Sequence, residues 1–452
     1  MEKTSLFDRI NDWIKQSITI KLLSIAFLIL ILLIPTSLLT SLIDERQQLR
    51  NDVTREVSSK WGNRQTFGGP VLSIPYWVTK KDEKGNTVRQ KEFAHFLPDT
   101  LSITGTVNPE ERHRSIYIVV LYNSLLHISG QFGVPDLKAA GLSESDYILD
   151  EAFISLGISD LRGIKDDIHC RLNDSTMVFG PGIPTHDLFS SGLSFSYPLQ
   201  EFRKMNFSFD VNLNGSTNLS FLPFGKITNV NLHSNWGSPS FEGSFLPDTN
   251  SVRENGFDAQ WKVLQLNRNY PQQGTGNFIG NLDQNQGDDY AISGQDEAGT
   301  FGVRLMLPVD EYQKTMRSVK YCLMFIIITF LTFFFVEVIN KRRIHPIQYL
   351  LVGFAVCLFY ILLLSISEHL TFNLAYLISC VLILSLITFY AKFIFQNNKL
   401  TAIFAVLLLL LYGFFYSLLQ LEDYALLLGS IGLLVILSTI MILTRKVNWY
   451  RD

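Results

Sequence analysis

The chain has 452 residues, of which 47% are hydrophobic, 13% aromatic and only 17% charged. Soluble proteins carry about 25% charged residues, so this composition argues against an ordinary soluble protein. The formal net charge of -3 carries little information, because the apolar residues form one run near the N-terminus and several runs in the last third, while residues 44 to 318 are polar. This arrangement predicts a membrane protein with an inserted globular domain.

Residues 1 to 21 form an amphipathic pattern ahead of the first apolar run. Leu6, Ile10 and Trp13 recur at helical spacing, which predicts a short cytoplasmic helix in the membrane interface. The run that follows, residues 22 to 43, is longer than the core of a signal peptide, which has about 7 to 15 residues, and no A-x-A-like cleavage site follows it. We therefore interpret this run as a retained transmembrane anchor.

Residues 44 to 318 have the alternation of a β-rich domain. Met205, Phe207 and Phe209 are separated by polar residues, which indicates strands with one buried and one wet face. Residues 116 to 122 are β-branched and aromatic, so they predict a more fully buried strand. The predicted fold is a large, mainly antiparallel β-rich domain, built as a sandwich or as two stacked β modules.

Turns and short helices are predicted to interrupt these strands. Asn214-Gly215 has the sequence of a hairpin turn. A helical patch is predicted near residues 135 to 152. The Gly-, Asn- and Gln-rich stretch from 271 to 299 is predicted to be a mobile excursion.

Cysteine usage and charge limit what the domain can bind. Cys170 is its only cysteine, so it has to fold on its own core without an internal disulfide. Residues 44 to 318 hold 25 Lys and Arg against 33 Asp and Glu, and 25 − 33 gives a net charge of -8. A surface of this sign does not favour nucleic acid or anionic lipid.

Six runs are long and apolar enough to cross a membrane, which takes about 20 residues as a helix. Residues 44 to 60 are predicted to extend the first span, and a helix beginning at Pro308 is predicted to continue without a break into the second. Residues 319 to 443 hold five of the spans and residues 444 to 452 form a tail. The six runs are residues 22 to 43, 321 to 339, 347 to 366, 372 to 395, 402 to 419 and 424 to 443.

Charges in the short connections predict the orientation, because Lys and Arg accumulate on the cytoplasmic side. The two predicted outer turns hold Glu368 and the pair Glu422-Asp423 but no Lys or Arg. We therefore predict cytoplasmic N- and C-termini and a periplasmic location for residues 44 to 318, in a bacterial inner membrane. The cations on the predicted inner side are Lys3, Arg9, Lys15, Lys21, Lys341, Arg342, Arg343, Lys392, Lys399, Arg445, Lys446 and Arg451.

The sequence contains none of the common catalytic or cofactor motifs, such as G-x-S-x-G, the P-loop, H-E-x-x-H or C-x-x-C. Cys170 is interpreted as a buried thiol rather than a nucleophile. The histidines of the domain lack the spacing of metal ligands, so we predict no enzymatic activity, no cofactor and no metal. These histidines are His95, His113, His127, His169, His186 and His233.

Four ionisable residues beside the predicted spans are candidate functional positions, because burying such groups in a membrane is costly. They are Glu337, His345, Glu368 and His369. Glu337 lies four residues before Lys341, so a pair at i and i+4 explains it without a transport role. Glu368 and His369 lie in a predicted outer turn that water reaches. The candidates do not form the carboxylate relay expected of a proton-coupled pump.

Several long stretches of the sequence have a distinctive wording. They are FGGPVLSIPY from Phe67, GISDLRGI from Gly157, LPFGKITNVNLHSNWGSP from Leu222, FGVRLMLPVDEYQK from Phe301 and RSVKYCLMFIIITFLTFFFVEVINKRRIHPIQYLL from Arg317. Together they resemble the CreD family of inner-membrane proteins, and the resemblance covers most of the chain. It implies an inner-membrane protein with a periplasmic domain, linked to cell envelope integrity and to an envelope stress response, and it implies no catalytic or cofactor residues.

The leading hypothesis is a non-enzymatic membrane protein that supports or senses the envelope through its periplasmic domain. Its expected partners are the lipid bilayer and periplasmic or inner-membrane proteins, and nucleic acid is not expected. One alternative is a transporter or lipid handler, which requires a polar cavity that reaches Glu337 or His369. The other is a periplasmic hydrolase that modifies the envelope, which requires a cleft that gathers Cys170 or several histidines.

Overall fold

The computed structural model describes residues 18–81, 86–135, 146–279, 299–307, 311–339, 344–420 and 425–444. The chain divides into one unit of residues 1–50 with 309–452 and a second unit of Asn51–Pro308. Several predicted features lie outside the described residues. They are the helix within residues 1–17, most of the 135–152 patch, most of the 271–299 stretch, Pro308, Lys341 and the Glu422-Asp423 pair.

A single helix, α1, runs for 44 residues from Ile18 to Trp61. It contains both the first apolar run and the charged stretch 44–60, so the predicted helical extension is confirmed. Pro35 lies inside α1 without ending it. Beside it, the Thr36 hydroxyl donates to the Leu33 carbonyl at 2.8 Å, and such hydroxyl contacts are one way in which membrane helices tolerate proline.

The rest of the first unit is helical where it is described. Among the described residues, four helices are long and apolar enough to cross a membrane, and a bent helix pair brings the number to five. The helices after α1 are α2 (Glu311–Lys320), α3 (Cys322–Ile339), α4 (Pro346–Ser367), α5 (Phe372–Phe395), α6 (Asn398–Gln420) and α7 (Ala425–Thr444). The four long apolar helices are α1, α4, α5 and α6, and the bent pair is α2 with α3.

The helix that enters the second predicted span is broken, so the prediction of a continuous helix is wrong. The bend between α2 and α3 measures 46° and lies at Tyr321. The Tyr321 N–H donates to the Ser318 carbonyl, three residues back, at 3.1 Å. A bond over three residues tightens the turn relative to an α-helix and ends the regular ladder there.

The second unit is built from strands in a nine-stranded and an eight-stranded sheet. The strands are β1 (Gln65–Lys81), β2 (Thr87–Phe96), β3 (Thr100–Arg114), β4 (Tyr117–Phe132), β5 (Phe153–Ile158), β6 (His169–Leu172), β7 (Ser175–Val178), β8 (Gly180–Pro181), β9 (Gly192–Ser196), β10 (Met205–Ser216), β11 (Asn218–Phe221), β12 (Ile227–Ser234), β13 (Pro239–Gly243), β14 (Thr249–Arg253), β15 (Gly256–Leu264), β16 (Gln273–Thr275) and β17 (Phe301–Leu305).

Both sheets are mixed. The first has the order β13-β17-β11-β1-β5-β9-β8, with β2 paired to β1 and β16 paired to β2, and the second has the order β14-β15-β12-β3-β4-β10-β6-β7. The pairs β1–β11 and β3–β12 are parallel. Side chains of both sheets, including Phe67, Ile103, Val211 and Trp261, join one buried apolar cluster. The prediction of a large β-rich domain is confirmed.

Strand β10 follows the predicted alternation, but the predicted turn after it is wrong. Its apolar residues are buried and alternate with more exposed polar residues. The strand continues through Asn214 and Gly215, which pairs with Tyr122. The backbone has a positive φ of 56° only after the strand ends at Ser216, at Thr217. A Cβ on Gly215 would lie 2.3 Å from the Tyr122 hydroxyl oxygen. Glycine is therefore required here for close packing rather than for a turn.

Candidate functional site

Glu337 lies near the end of α3 and is only 3% exposed. Its Oε1 accepts a hydrogen bond from the Ile344 N–H at 3.1 Å, and its Oε2 accepts one from the Tyr349 hydroxyl at 2.9 Å. Such donors offset the cost of burying a carboxylate. The Glu337 side chain thereby links the end of α3 to the start of α4.

His345 precedes α4 and caps its N-terminus. The ring Nδ1 of His345 accepts a hydrogen bond from the Ile347 backbone N–H at 3.3 Å. The backbone N–H of His345 donates to the Gln348 Oε1 at 3.0 Å. Pro346 follows as the first helical residue, where its missing N–H has no cost. His345 satisfies backbone groups at the helix start, as the first residue of a capping box does.

Glu368 and His369 lie at the opposite end of α4. The Glu368 Oε1 is 3.4 Å from the Arg46 Nε of α1, and His369 is exposed. Helix α4 has 22 residues, so its two ends are separated by about 33 Å at 1.5 Å per residue. The four candidate positions therefore do not converge on one site: Glu337 and His345 lie at one end of α4, Glu368 and His369 at the other.

A polar constellation that sequence reasoning missed lies in the first sheet. Ser73 and His95 are register partners on β1 and β2, and the Ser73 Oγ is 2.8 Å from the His95 Nδ1. The His95 Nε2 is 3.1 Å from the Asp187 Oδ2, and the Phe278 ring stacks on His95 with centroids 6.3 Å apart. The hydrogen bond from His95 holds the pKa of the Asp187 carboxyl below its usual value.

The residue types Ser73, His95 and Asp187 are those of a hydrolase triad, but their arrangement differs from one. In a serine hydrolase the serine contacts Nε2 and the carboxylate contacts Nδ1, whereas here the two nitrogens are exchanged. Ser73 and His95 are each 1% exposed, and β1 pairs with β2 and β5 on either side of Ser73. The constellation holds the segment that carries Asp187 onto the sheet, and its serine is not accessible to a substrate.

Comparison with known proteins identifies the family. The family model described as inner membrane protein CreD matches residues 17–450. The chain belongs to the CreD family. The inner membrane protein CreD of Escherichia coli K12 is 33% identical to it over 444 residues, which cover 97% of this chain and 95% of the relative.

Membership of the CreD family, together with several apolar helices, makes the chain a multi-pass inner-membrane protein. The recognition made from the motifs at Phe67, Leu222 and Arg317 is therefore confirmed. The family description names a location and no chemistry, so the role of each side chain in this CreD protein has to come from its geometry.

The hydrolase alternative requires a cleft that gathers Cys170 or several histidines, but the fold of this CreD protein places Cys170 in the core. It is buried on β6, and desolvation raises the pKa of its thiol to about 12. Because the thiolate is the reactive form, such a thiol is inert at neutral pH. Within the described ranges, no three His, Cys, Asp or Glu side chains group as metal ligands would.

Proposed function

We propose that this chain is a non-enzymatic inner-membrane protein that supports or senses the state of the cell envelope through its β-rich unit. The observation that carries the proposal is that residues Asn51–Pro308 form a separate unit whose two sheets share one apolar core. A domain of this size, supported by membrane helices, is suited to contact partners in the adjoining aqueous compartment.

The proposed topology has six spans, with both termini in the cytoplasm and residues 44–318 in the periplasm. The bent pair α2–α3 would be the second span and α7, with 20 residues, the sixth. Charge supports this orientation, because Lys392 and Lys399 lie near the turn between α5 and α6, whereas Glu368 lies at the turn between α4 and α5.

Cysteine accessibility in spheroplasts tests the topology. In a cysteine-free background, Leu266→Cys, at a position 85% exposed on the β unit, should react with a membrane-impermeant maleimide added outside spheroplasts. Lys399→Cys, at the start of α6, should react only after the membrane is permeabilised. The reverse labelling pattern would contradict the proposed orientation.

The outer face of the eight-stranded sheet is the proposed interaction surface. Thr104, His127 and Asp210 are exposed neighbours across β3, β4 and β10. The pair His233 and Asp258 on β12 and β15 extends this face and is joined at 2.7 Å. Exposed hydrogen-bonding side chains of this kind favour a polar partner over an apolar one.

Photo-crosslinking in intact membranes tests this surface. A photoreactive residue at position 104 of the full-length chain should capture a periplasmic or inner-membrane protein reproducibly. The same residue at position 266, which is also exposed but lies beyond the end of β15, serves as the matched control. Equal capture at both positions would count against the outer face as the interaction surface.

A deletion strain tests the physiological role. Loss of the gene should raise envelope permeability and detergent sensitivity under envelope stress, and expression of the full chain should restore both. A deletion strain with unchanged permeability and sensitivity would refute the proposed role.

Transport and hydrolysis are less well supported, because the Glu337 carboxylate already accepts two hydrogen bonds and Ser73 is buried.

A further inference from the structure

The end of the β1–β2 hairpin extends from the nine-stranded sheet as a two-stranded arm, which we define as residues 77–81 and 87–91. Trp77 pairs with Lys91 and Lys81 pairs with Thr87. Residues 71–76 of β1 are all buried, whereas every side chain of the arm is exposed or half-buried. Because successive side chains of a strand point to opposite faces, neither face of the arm packs on the core.

The arm is cationic, although the segment of chain that contains it is acidic. Residues 77–91, which include the connection between the two strands, hold five Lys and Arg against two Asp and Glu, a net charge of +3. Residues 44 to 318 as a whole carry -8. The two strands of the arm contain no Asp or Glu, and their cations are Lys80, Lys81, Arg89 and Lys91. A local positive surface of this kind favours an acidic partner.

Two of these cations are available to a partner. The Arg89 guanidinium lies 5.4 Å from the centroid of the Trp77 ring, and this contact orients the side chain without using its N–H donors. Neither Arg89 nor Lys81 forms an ion pair with another residue that the structure describes. The other two cations are held by carboxylates, Lys80 by Glu92 and Lys91 by Glu151.

The backbone edge of β2 is open along the arm. Strand β2 has β1 on one side, and β16 pairs with its other side only at residues 94–96. Gly276, with a φ of 59°, then turns the chain away from β2. Among the described residues, no strand pairs with this side of residues 87–92. Such an edge presents backbone N–H and C=O groups that can pair with another chain.

The cations determine which strand this edge accepts. A second copy of the arm would place its cations opposite the same cations, and like charges at opposed positions are unfavourable. Carboxylates of an acidic strand would instead accept hydrogen bonds from Arg89. Trp77 is 40% exposed and Val88 is 47% exposed, so apolar side chains of the same strand would also find neighbours. The arm therefore rejects itself and selects an acidic partner.

We propose that residues 87–92 of β2 accept an acidic, extended segment of another protein as an added strand. Strand β16 supplies the geometry, because it already pairs with the same side of β2 in antiparallel register. The added segment would lie in line with β16, next to Arg89. The arm belongs to the nine-stranded sheet, so this surface goes beyond the proposed outer face of the eight-stranded sheet and does not depend on it.

Fluorescence anisotropy tests the charge selection, with the full-length protein in a neutral detergent. The probe is a labelled peptide of alternating Glu and Val, about six residues long to match the open edge. It should bind saturably, and a peptide of alternating Lys and Val should bind on the order of tenfold more weakly or worse. Absence of saturation with the acidic peptide, or equal binding of the two peptides, would overturn the proposal.

A charge-reversed variant assigns the binding to the arm. Arg89→Glu combined with Lys81→Glu should reverse the preference, so that the Lys–Val peptide binds more tightly than the Glu–Val peptide. Both positions are exposed, and elution as a single species in gel filtration checks the fold. Lys262→Glu, at an exposed position on β15, makes the same change on the other sheet and should keep the wild-type preference. An unchanged preference in the double variant would place the binding elsewhere.

Backbone pairing is tested separately from charge. Methylation of alternate amide nitrogens in the Glu–Val peptide removes backbone donors and keeps every carboxylate, so it should abolish binding. The unmodified peptide should slow amide hydrogen exchange at residues 87–92 and leave exchange in β14, an edge strand of the other sheet, unchanged. Binding of the methylated peptide with undiminished affinity, or no slowing at residues 87–92, would overturn strand addition.

Discussion

The His95 Nε2 lies 3.1 Å from the Asp187 Oδ2, with the histidine fully buried and the Asp187 side chain 30% exposed. A second pair with the same chemistry, His127 and Asp210, is joined at 2.7 Å with side chains 54% and 69% exposed. The two pairs differ in burial rather than in residue type. They therefore allow the effect of burial on an aspartate–histidine contact to be measured within one protein.

Asp187→Ala should lower the free energy of local opening around residues 185–189 by about 2 kcal/mol, because it leaves a ring nitrogen of the buried His95 without its partner. Asp210→Ala should change the free energy of opening near its own strand by less than about 0.5 kcal/mol, because an exposed pair contributes little. Amide hydrogen exchange of the full-length protein in detergent measures both. Equal effects would contradict the assigned role of burial.

The stabilisation by the contact between Asp187 and His95 should decrease as pH falls. The hydrogen bond from His95 is the largest cause of the lowered pKa of Asp187, and Thr185 and the charges of His95 and His186 lower it further against the opposing effect of desolvation. A carboxyl with a lowered folded-state pKa stabilises the fold above its unfolded pKa of about 3.9, and this stabilisation is lost as pH falls through the lower folded value. The free energy of local opening at residues 185–189, obtained from exchange rates corrected for the intrinsic pH dependence of amide exchange, should therefore decrease below about pH 4 in the wild type more than in Asp187→Ala.

How much of this molecule the sequence predicts depends on how local each feature is. The helical extension of α1 and the alternation of β10 follow from neighbouring residues, and both were predicted. The break at Tyr321 and the continuation of β10 to Ser216 depend on packing, for example of Tyr122 against Gly215. Sequence periodicity carries no information about such contacts.

The functional constellations are the least predictable part. Ser73 meets His95 through strand register, and Asp187 reaches His95 across 92 residues of chain. For Glu337, the sequence suggested a partner four residues ahead, whereas Ile344 and Tyr349 are the partners seen across the connection to α4.

Tyr349→Phe should destabilise the helical unit by about 2 kcal/mol, because it removes a donor from the buried Glu337 carboxylate. The thermal midpoint of the full-length protein in detergent, followed by fluorescence-detected gel filtration, reports the change. Tyr390→Phe on α5, whose side chain is half-buried, is the matched control and should shift the midpoint by much less. A Tyr349→Phe midpoint equal to that of the control would mean that the Glu337 contact does not stabilise the unit.

Gly130→Ala should destabilise the β unit by about 3 kcal/mol. A Cβ at position 130 would lie 2.0 Å from the Thr100 carbonyl oxygen and 2.5 Å from the Phe207 ring, and a close contact with backbone forces β3 and β4 apart. At Gly180 the nearest atom to an added Cβ is the Ser194 carbonyl oxygen at 3.6 Å, so Gly180→Ala should be nearly neutral. Urea unfolding of the full chain, followed by tryptophan fluorescence, compares the two variants, and similar midpoints would contradict the packing argument.

Arg268 supplies a test of geometry rather than of charge. It is 9% exposed, and its Nη1 donates to the carbonyls of Tyr270 at 3.1 Å and Pro271 at 3.3 Å. Its Nη2 donates to the Phe224 carbonyl and to the Gln272 side chain, and its guanidinium lies 4.3 Å from the Tyr270 ring centroid. One planar group thus joins two segments of the chain that are distant in sequence.

Arg268→Lys should therefore cost about 2–3 kcal/mol, although it keeps the positive charge, because an ammonium cannot reproduce a planar fork that bonds carbonyls on both sides and stacks on a ring. Arg253→Lys on the exposed strand β14 makes the same exchange and should change stability by less than about 0.5 kcal/mol. Thermal unfolding of the full-length protein, followed by tryptophan fluorescence, measures both variants, since Trp261 is buried in the same unit. If the two exchanges lowered the midpoint equally, the stabilisation by Arg268 would be electrostatic, and the fork geometry would not be its cause.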